Sequence, residues 1–155
     1  MSQQISITDK ATGNAAPRCA VIILNWNGAE HLRRFLPSVV AAAPAGVEVV
    51  VADNGSTDDS LRVLATEFPS VGVLRLDANY GFAGGYNRAL EQVRADYYLL
   101  LNSDIETPEG WLAPILDVLE REPDVAVVSP KLISWTDRTK FEYAGASGGF
   151  IDFLG

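Results

Sequence analysis

A single cysteine, Cys19, rules out an intrachain disulfide, and its place at the head of an apolar run marks it as a small buried hydrophobe rather than a reactive thiol. One cysteine fits a reducing compartment. Basic residues are also scarce: 12 Lys and Arg stand against 20 Asp and Glu, a formal net charge of −8. That argues against a nucleic-acid partner, because contact with a phosphate backbone normally needs a basic face. It also means that any bound phosphate needs a local cation or a metal. No apolar run approaches the roughly 20 residues that cross a bilayer, so no transmembrane segment is expected. The opening "MSQQISITDKATGNAAP" lacks the basic and apolar regions of a secretory leader, and residues 1–17 read as a flexible polar tail. The lone histidine, His31, falls on a polar helical face and reads as solvated, without a role.

What is present is apolar residue in quantity, 48% of the chain, enough for one globular domain with a true core. "CAVIILNW", "VEVVVA", "VGVLRL", "YYLLL" and "VAVVSP" are short apolar runs and predict five strands. Helical spacing follows the first run at Leu32, Phe35, Leu36, Val39 and Val40, with Pro37 expected to kink or shorten the helix. The second helix carries Leu61, Leu64 and Phe68, capped by Ser56 or Thr57 and stopped before Pro69. A third covers "NRALEQVR", and a fourth starts with Thr107 as cap and Pro108 at its first position, running through Trp111, Ile115, Leu116 and Leu119. Strands alternating with helices predict an α/β fold, a mostly parallel sheet flanked by helices. Trp26 is expected to pack, and the apolar helix positions to form the core.

Parallel sheets of this kind bind ligands beyond the carboxyl ends of their strands. Four polar, Gly-rich clusters fall at those ends: "NWNG", "DNGSTDD", "DANYGFAGGYN" and "NSDIE". In the last, Asn102 and Asp104 are two residues apart, and an amide oxygen with a carboxylate suits a hard divalent cation that shares phosphate oxygens with a ligand. The same two residues would equally serve to end a strand and cap the next helix. Asp53 can accept a hydrogen bond from a nucleoside base or hydroxyl, or close an Asx-turn. Asp58 and Asp59 read as first-turn residues that complement a helix dipole. The three glycines of "NYGFAGGYNRA" allow a close backbone approach, with Arg88 as the cation, although this loop matches neither the dinucleotide fingerprint nor the P-loop. A Rossmann dinucleotide site is disfavoured because "NWNG" has one glycine where the fingerprint needs several.

Taken in order, "VIILNWNG", "VVVADNGSTDDS", "NYGFAGGYNRAL" and "YYLLLNSDIE" resemble the nucleotide-binding half of a family two glycosyltransferase with the GT-A (Rossmann-like) fold, and among these the rhamnosyltransferase-like enzymes of bacterial surface polysaccharide synthesis. The resemblance covers residues 20 to about 133. It implies that Asp53 contacts the base, that Asn25 to Asn27 line the nucleotide pocket, and that the loop from Asn79 to Arg88, with Gly81 and Asn87, follows the ribose and diphosphate. The family's Asp-x-Asp metal motif reads Asn102-Ser103-Asp104 here. Asp104 is then the ligand of a divalent metal, Mn or Mg, and Asn102, with one negative charge fewer, contacts the sugar-nucleotide. The implied donor is a UDP- or dTDP-linked sugar, the acceptor a glycan or lipid-linked hydroxyl, the reaction an inverting transfer, and the location cytoplasmic or peripheral at the inner face of the membrane. The family's catalytic base lies in an acceptor half that is expected beyond Gly155. Residues 18–155 are therefore expected to be a GT-A domain truncated at its C-terminus, inactive alone. Asp137, Glu142 and Asp152 are acidic and late but match no motif. The alternative is a non-catalytic nucleotide-sugar-binding fragment or interaction module.

Overall fold

The computed structural model describes residues 18–142; the polar tail, the glycine-rich end and Asp152 lie outside them. The chain divides into two units, Met1–Glu109 and Gly110–Gly155. The first holds four parallel strands, β1 Cys19–Asn25, β2 Val47–Asp53, β3 Gly72–Arg75 and β4 Tyr97–Asn102, in the order β3-β2-β1-β4. β1 is central, pairing with β2 from Cys19↔Val47 to Asn25↔Asp53 and with β4 from Cys19↔Tyr97 to Leu24↔Asn102. That position explains its uninterrupted apolar run: Ala20, Val21, Ile22 and Ile23 are all buried, so both faces are covered.

Between the strands lie α1 Ala29–Ala41, α2 Ser60–Glu67 and α3 Gly81–Gln92. Strand order runs outward from β1 through β2 to β3, then returns to β4 on the other side. Right-handed crossovers therefore send α1 and α2 to one face and α3 to the other. The core on the α3 face joins Ala20, Ile22, Val50, Ala52 and Leu74 to Tyr86, Ala89 and Val93. On the helices α1 and α2 the buried residues include Leu32, Phe35, Leu36, Val39, Val63 and Leu64. Cys19 is buried, and burial pushes its thiol pKa up, which leaves it inert. The second unit contains α4 Leu112–Arg121 and an isolated antiparallel bridge, Ile133↔Phe141. Among the described residues no helix is long and apolar enough to cross a membrane.

Several local expectations are corrected. Pro37 does not shorten α1, which continues to Ala41; beside it the Ser38 hydroxyl donates to the Phe35 carbonyl at 2.8 Å. α2 begins at Ser60, so neither Ser56 nor Thr57 caps it, and Asp58 and Asp59 precede its first turn. α3 begins at Gly81, six residues before the expected start at Asn87, and takes in Gly84 and Gly85. A Cβ on Gly85 would stand 2.7 Å from Leu24 Cδ1, so that glycine serves helix-to-strand packing instead of loop freedom. α4 does not start at Pro108: Gly110, with φ +73°, breaks the helical path, and the Thr107 N–H donates to the Ser38 hydroxyl at 3.2 Å. "VAVVSP" is not a strand. Among the described residues it has no pairing partner, and Val127 is 81% exposed.

Candidate functional site

The register brings Asn25 beside Asp53 and Leu24 beside Asn102, so three of the expected residues stand on adjacent strand tips at one rim. Asn25 and Asp53 are both buried. The Asn25 amide donates to Asp53 Oδ1 at 3.1 Å and to Ser56 Oγ at 3.2 Å. The Ser56 N–H donates to Asp53 Oδ2 at 3.1 Å. Asp53 Oδ1 thus holds the tip of β1 and Oδ2 the β2–α2 loop, and each keeps a second lone pair for another donor. With 1% of its surface exposed, Asp53 is a loop organiser in this conformation before it is a ligand contact.

Asn54 was not singled out in the sequence, and Ser56 only as a helix cap, yet they tie the rim together. The buried Asn54 carboxamide accepts from the Tyr80 N–H at 3.0 Å and donates to Asn79 Oδ1 and to the Gly81 carbonyl, each at 3.0 Å. Asn79 Oδ1 also accepts from the Gly81 N–H at 2.8 Å, which sets the turn into α3. Asn79 and Gly81 therefore meet the β2 tip through Asn54. No pattern signal separates Asn54 from any other asparagine in a turn; only its burial does.

Asn87 and Arg88 lie on the exposed side of α3, inside the helix and not on the expected loop. The Arg88 guanidinium stacks on the Tyr80 ring, 3.6 Å from its centre. The Tyr80 hydroxyl donates to Asp77 Oδ1 at 2.7 Å; this bond, with help from Arg88, holds the Asp77 carboxyl below its ordinary value. Trp26 is 57% exposed and Phe82 66% exposed. The expectation that Trp26 packs is thus corrected: it follows the last residue of β1 and faces solvent at the rim.

Asn102 ends β4 and Asp104 sits in the turn beyond it, both exposed. Among the described residues no side-chain hydrogen bond joins either of them to the Asn25–Asp53 network. The Tyr86 hydroxyl donates to the Leu101 carbonyl at 2.9 Å, fixing α3 to this strand end; burial, and secondarily the Asp104 charge, raise the Tyr86 pKa. Among the described residues no group of three or more His, Cys, Asp or Glu converges as a metal cage. One carboxylate and one amide oxygen at a solvent-facing turn still fit a hard cation that keeps several waters and takes its other ligands from a diphosphate. A cavity of about 430 Å³ lies elsewhere, at the N-terminal ends of α1 and α2, lined by residues that include Asn27, Gly28, Glu30, Asp58 and Asp59. Its lining mixes Glu30, Asp58 and Asp59 with Arg33 and His31, and Asn27 is the one expected site residue on it. Asp137 accepts from the Thr139 hydroxyl and pairs with Lys140, and these bonds hold its carboxyl low, unlike that of a general base.

The sequence matches the family described as Glycosyl transferase family 2 over residues 20–147. Over 121 residues it is 29% identical to the N-acetylglucosaminyl-diphospho-decaprenol L-rhamnosyltransferase of Mycobacterium tuberculosis, covering 71% of this chain and 39% of that protein. The fold resembles Staphylococcus aureus TarS 1–349 in complex with UDP-GlcNAc, with a TM-score of 0.60, 22% identity, and coverage of 75% of this chain and 38% of that one. It also resembles the mannosyltransferase PcManGT of Pyrobaculum calidifontis in complex with GDP-Man and Mn2+, with a TM-score of 0.52, 24% identity, and coverage of 64% and 33%. The chain thus spans about two fifths of the rhamnosyltransferase it matches. A parallel sheet with its polar residues gathered at the strand tips, and a match running through all four tip motifs, make this chain a GT-A-fold member of glycosyl transferase family 2.

Proposed function

We propose that the chain is the nucleotide-sugar-binding part of a glycosyltransferase that moves a sugar from a nucleoside-diphosphate donor to a hydroxyl acceptor with inversion, in bacterial surface polysaccharide synthesis. The observation that carries this reading is the gathering of Asn25, Asp53 and Asn102 on the adjacent tips of β1, β2 and β4, with the start of α3 tied to the same tips through Asn54. Asp53 accepts from the imide N–H of a uracil or thymine base. Asn79, Gly81, Asn87 and Arg88 attend the ribose and diphosphate, with Asn25 and Asn27 on the β1 side and Asn102 toward the sugar. The donor is UDP- or dTDP-linked and the acceptor is a glycan or lipid-linked alcohol. Such a reaction is cytoplasmic, or peripheral at the inner face of the membrane.

Asp104 would hold Mn2+ or Mg2+, which when bound offsets the charge of the leaving diphosphate. In the transfer the acceptor oxygen bonds to the anomeric carbon as the bond to the diphosphate oxygen breaks, and a carboxylate takes the hydroxyl proton. That carboxylate is assigned to sequence beyond Gly155, so residues 1–155 alone transfer little or no sugar. The test is calorimetric titration of UDP, dTDP and GDP into the protein, with and without Mn2+. Binding of a pyrimidine nucleotide that needs the metal supports the reading; a protein indifferent to all three overturns it.

A further inference from the structure

The β1–α1 turn and the β2–α2 loop hold each other by bonds that run in both directions. Asn27 Oδ1 accepts from the Thr57 N–H at 2.8 Å, the Asp58 N–H at 3.3 Å and the Thr57 hydroxyl at 3.4 Å. In return Asp58 Oδ2 accepts from the Ala29 N–H at 3.0 Å, at the first residue of α1, while Oδ1 accepts from the Ser60 N–H at 2.9 Å, at the first residue of α2. Asp58 therefore ties the starts of two helices with one carboxylate. Ser56 Oγ accepts from the Asn27 N–H at 2.9 Å, and the Asn54 N–H donates to the Asn25 carbonyl at 2.8 Å. Among the described residues Asn27 is also the one non-glycine with positive φ, +50°, a conformation that its surroundings must impose.

We propose that Asn27 and Asp58 are positioning residues that lock these two loops into one unit, and that the Asn27 side-chain oxygen serves the nucleotide through this lock. The inference rests on the reading of the rim as a nucleotide site. Three donors already face the Asn27 carbonyl oxygen, which leaves it no lone pair for a ligand. The lock reaches Asp53 in a continuous path: Asn27 and Asn25 both donate to Ser56 Oγ, and the Ser56 N–H donates to Asp53 Oδ2. Loosening either end lets Ser56 shift, and with it the carboxylate proposed to meet the base. A carboxylate and a carboxamide that each cap the other's loop form one cooperative lock, in which releasing either cap frees the donors held by the other.

The test compares the parent chain with Asn27→Gly, Asp58→Ala and the double variant. Glycine keeps the positive φ and removes only the carboxamide. Amide exchange is followed by NMR at Ala29 and Thr57, and UDP affinity by calorimetry in Mn2+. A lock predicts crossed effects: Asn27→Gly speeds exchange at Ala29, whose acceptor is Asp58, and Asp58→Ala speeds it at Thr57, whose acceptor is Asn27. Each single variant weakens UDP binding about fivefold, the effect of one ordinary hydrogen bond, and the double variant adds less than about twofold more. Asp58→Asn, which keeps one of the two acceptor oxygens, restores only part of the loss. Exchange that rises only at each variant's own partner, or affinity losses that multiply, overturns the proposal. A parent that binds no UDP overturns the nucleotide half together with the functional reading, while the crossed exchange still decides whether the lock exists.

Discussion

Gly55 lies directly against the backbone of Ala78. A Cβ on Gly55 would stand 2.7 Å from the Ala78 carbonyl carbon and 2.9 Å from the Asn79 nitrogen, and Gly55 itself has φ +73°. The loop after β2 and the turn before α3 are thus docked main chain to main chain, with Asn54 bonding across the same seam. Only glycine allows both the conformation and the approach.

Gly55→Ala should therefore be costly and Gly81→Ala much less so. Gly81 has a similar φ of +69°, but a Cβ there meets nothing within 4 Å. The second change bears only the left-handed backbone strain, about 1 kcal/mol, while the first adds a backbone collision, for a total of roughly 2–4 kcal/mol. Urea unfolding of the two variants measures this ordering. Equal costs would mean the seam yields freely.

Asp53→Ala should weaken UDP binding by about tenfold or more, the worth of a hydrogen bond to a charged group. It should also lower stability, because the buried Asn25 amide and the Ser56 N–H lose their acceptor. Calorimetry and a denaturation midpoint on the same variant separate the two losses. Unchanged affinity in a folded variant would reduce Asp53 to a loop organiser.

Asp104→Asn should remove the dependence of nucleotide binding on Mn2+ while leaving the fold intact, because the Asp104 side chain is exposed beyond β4. The cost in stability should stay within about 1 kcal/mol, that of a turn or cap hydrogen bond. A stability loss with no change in metal dependence would return Asp104 to the role of strand punctuation.

Acid should loosen the tie between α1 and α2. Partial burial raises the Asp58 carboxyl, but the bonds from Ser60 and the Ala29 N–H outweigh it and leave the group below its ordinary value. A lowered folded pKa adds stability that is complete above the unfolded value, near 3.9, and lost as pH falls through the lower folded value. The stability gap between the parent and Asp58→Asn should hold steady from pH 7 to about 5 and close below pH 4. Urea midpoints across that range test it. A gap that widens on acidification would refute the assignment.

The sheet was legible because β1 and the Val49–Ala52 part of β2, buried throughout, read as apolar runs, and because polarity begins abruptly at Asn25, Asp53 and Asn102. α3 was misjudged at its start: Gly84 and Gly85 look like a flexible loop until Leu24 is known to lie against Gly85. "VAVVSP" has strand composition, but a strand exists only with a partner, and composition does not supply one. Ser56 looked like a cap for its own helix, and its hydroxyl instead meets the backbone of Asn27. The Asp58–Ala29 bond joins residues 29 apart, and no local pattern encodes such a pairing. The rim motifs were therefore recognisable as a set, while the division between residues that touch a ligand and residues that hold the rim in shape needed coordinates.

The strand order also fixes a sequence of events for the growing chain. β1 meets β2 after one helix, but its other neighbour, β4, is made only after β2 and β3, so Cys19 must wait for Tyr97. Closing that longer loop costs more entropy and comes later, as non-local parallel pairing does. Until then β1 is an open apolar edge, prone to the wrong partner. The tip that carries Asn102 and Asp104 joins after those of β1, β2 and β3, so a half-formed rim with an open edge precedes the complete one during synthesis.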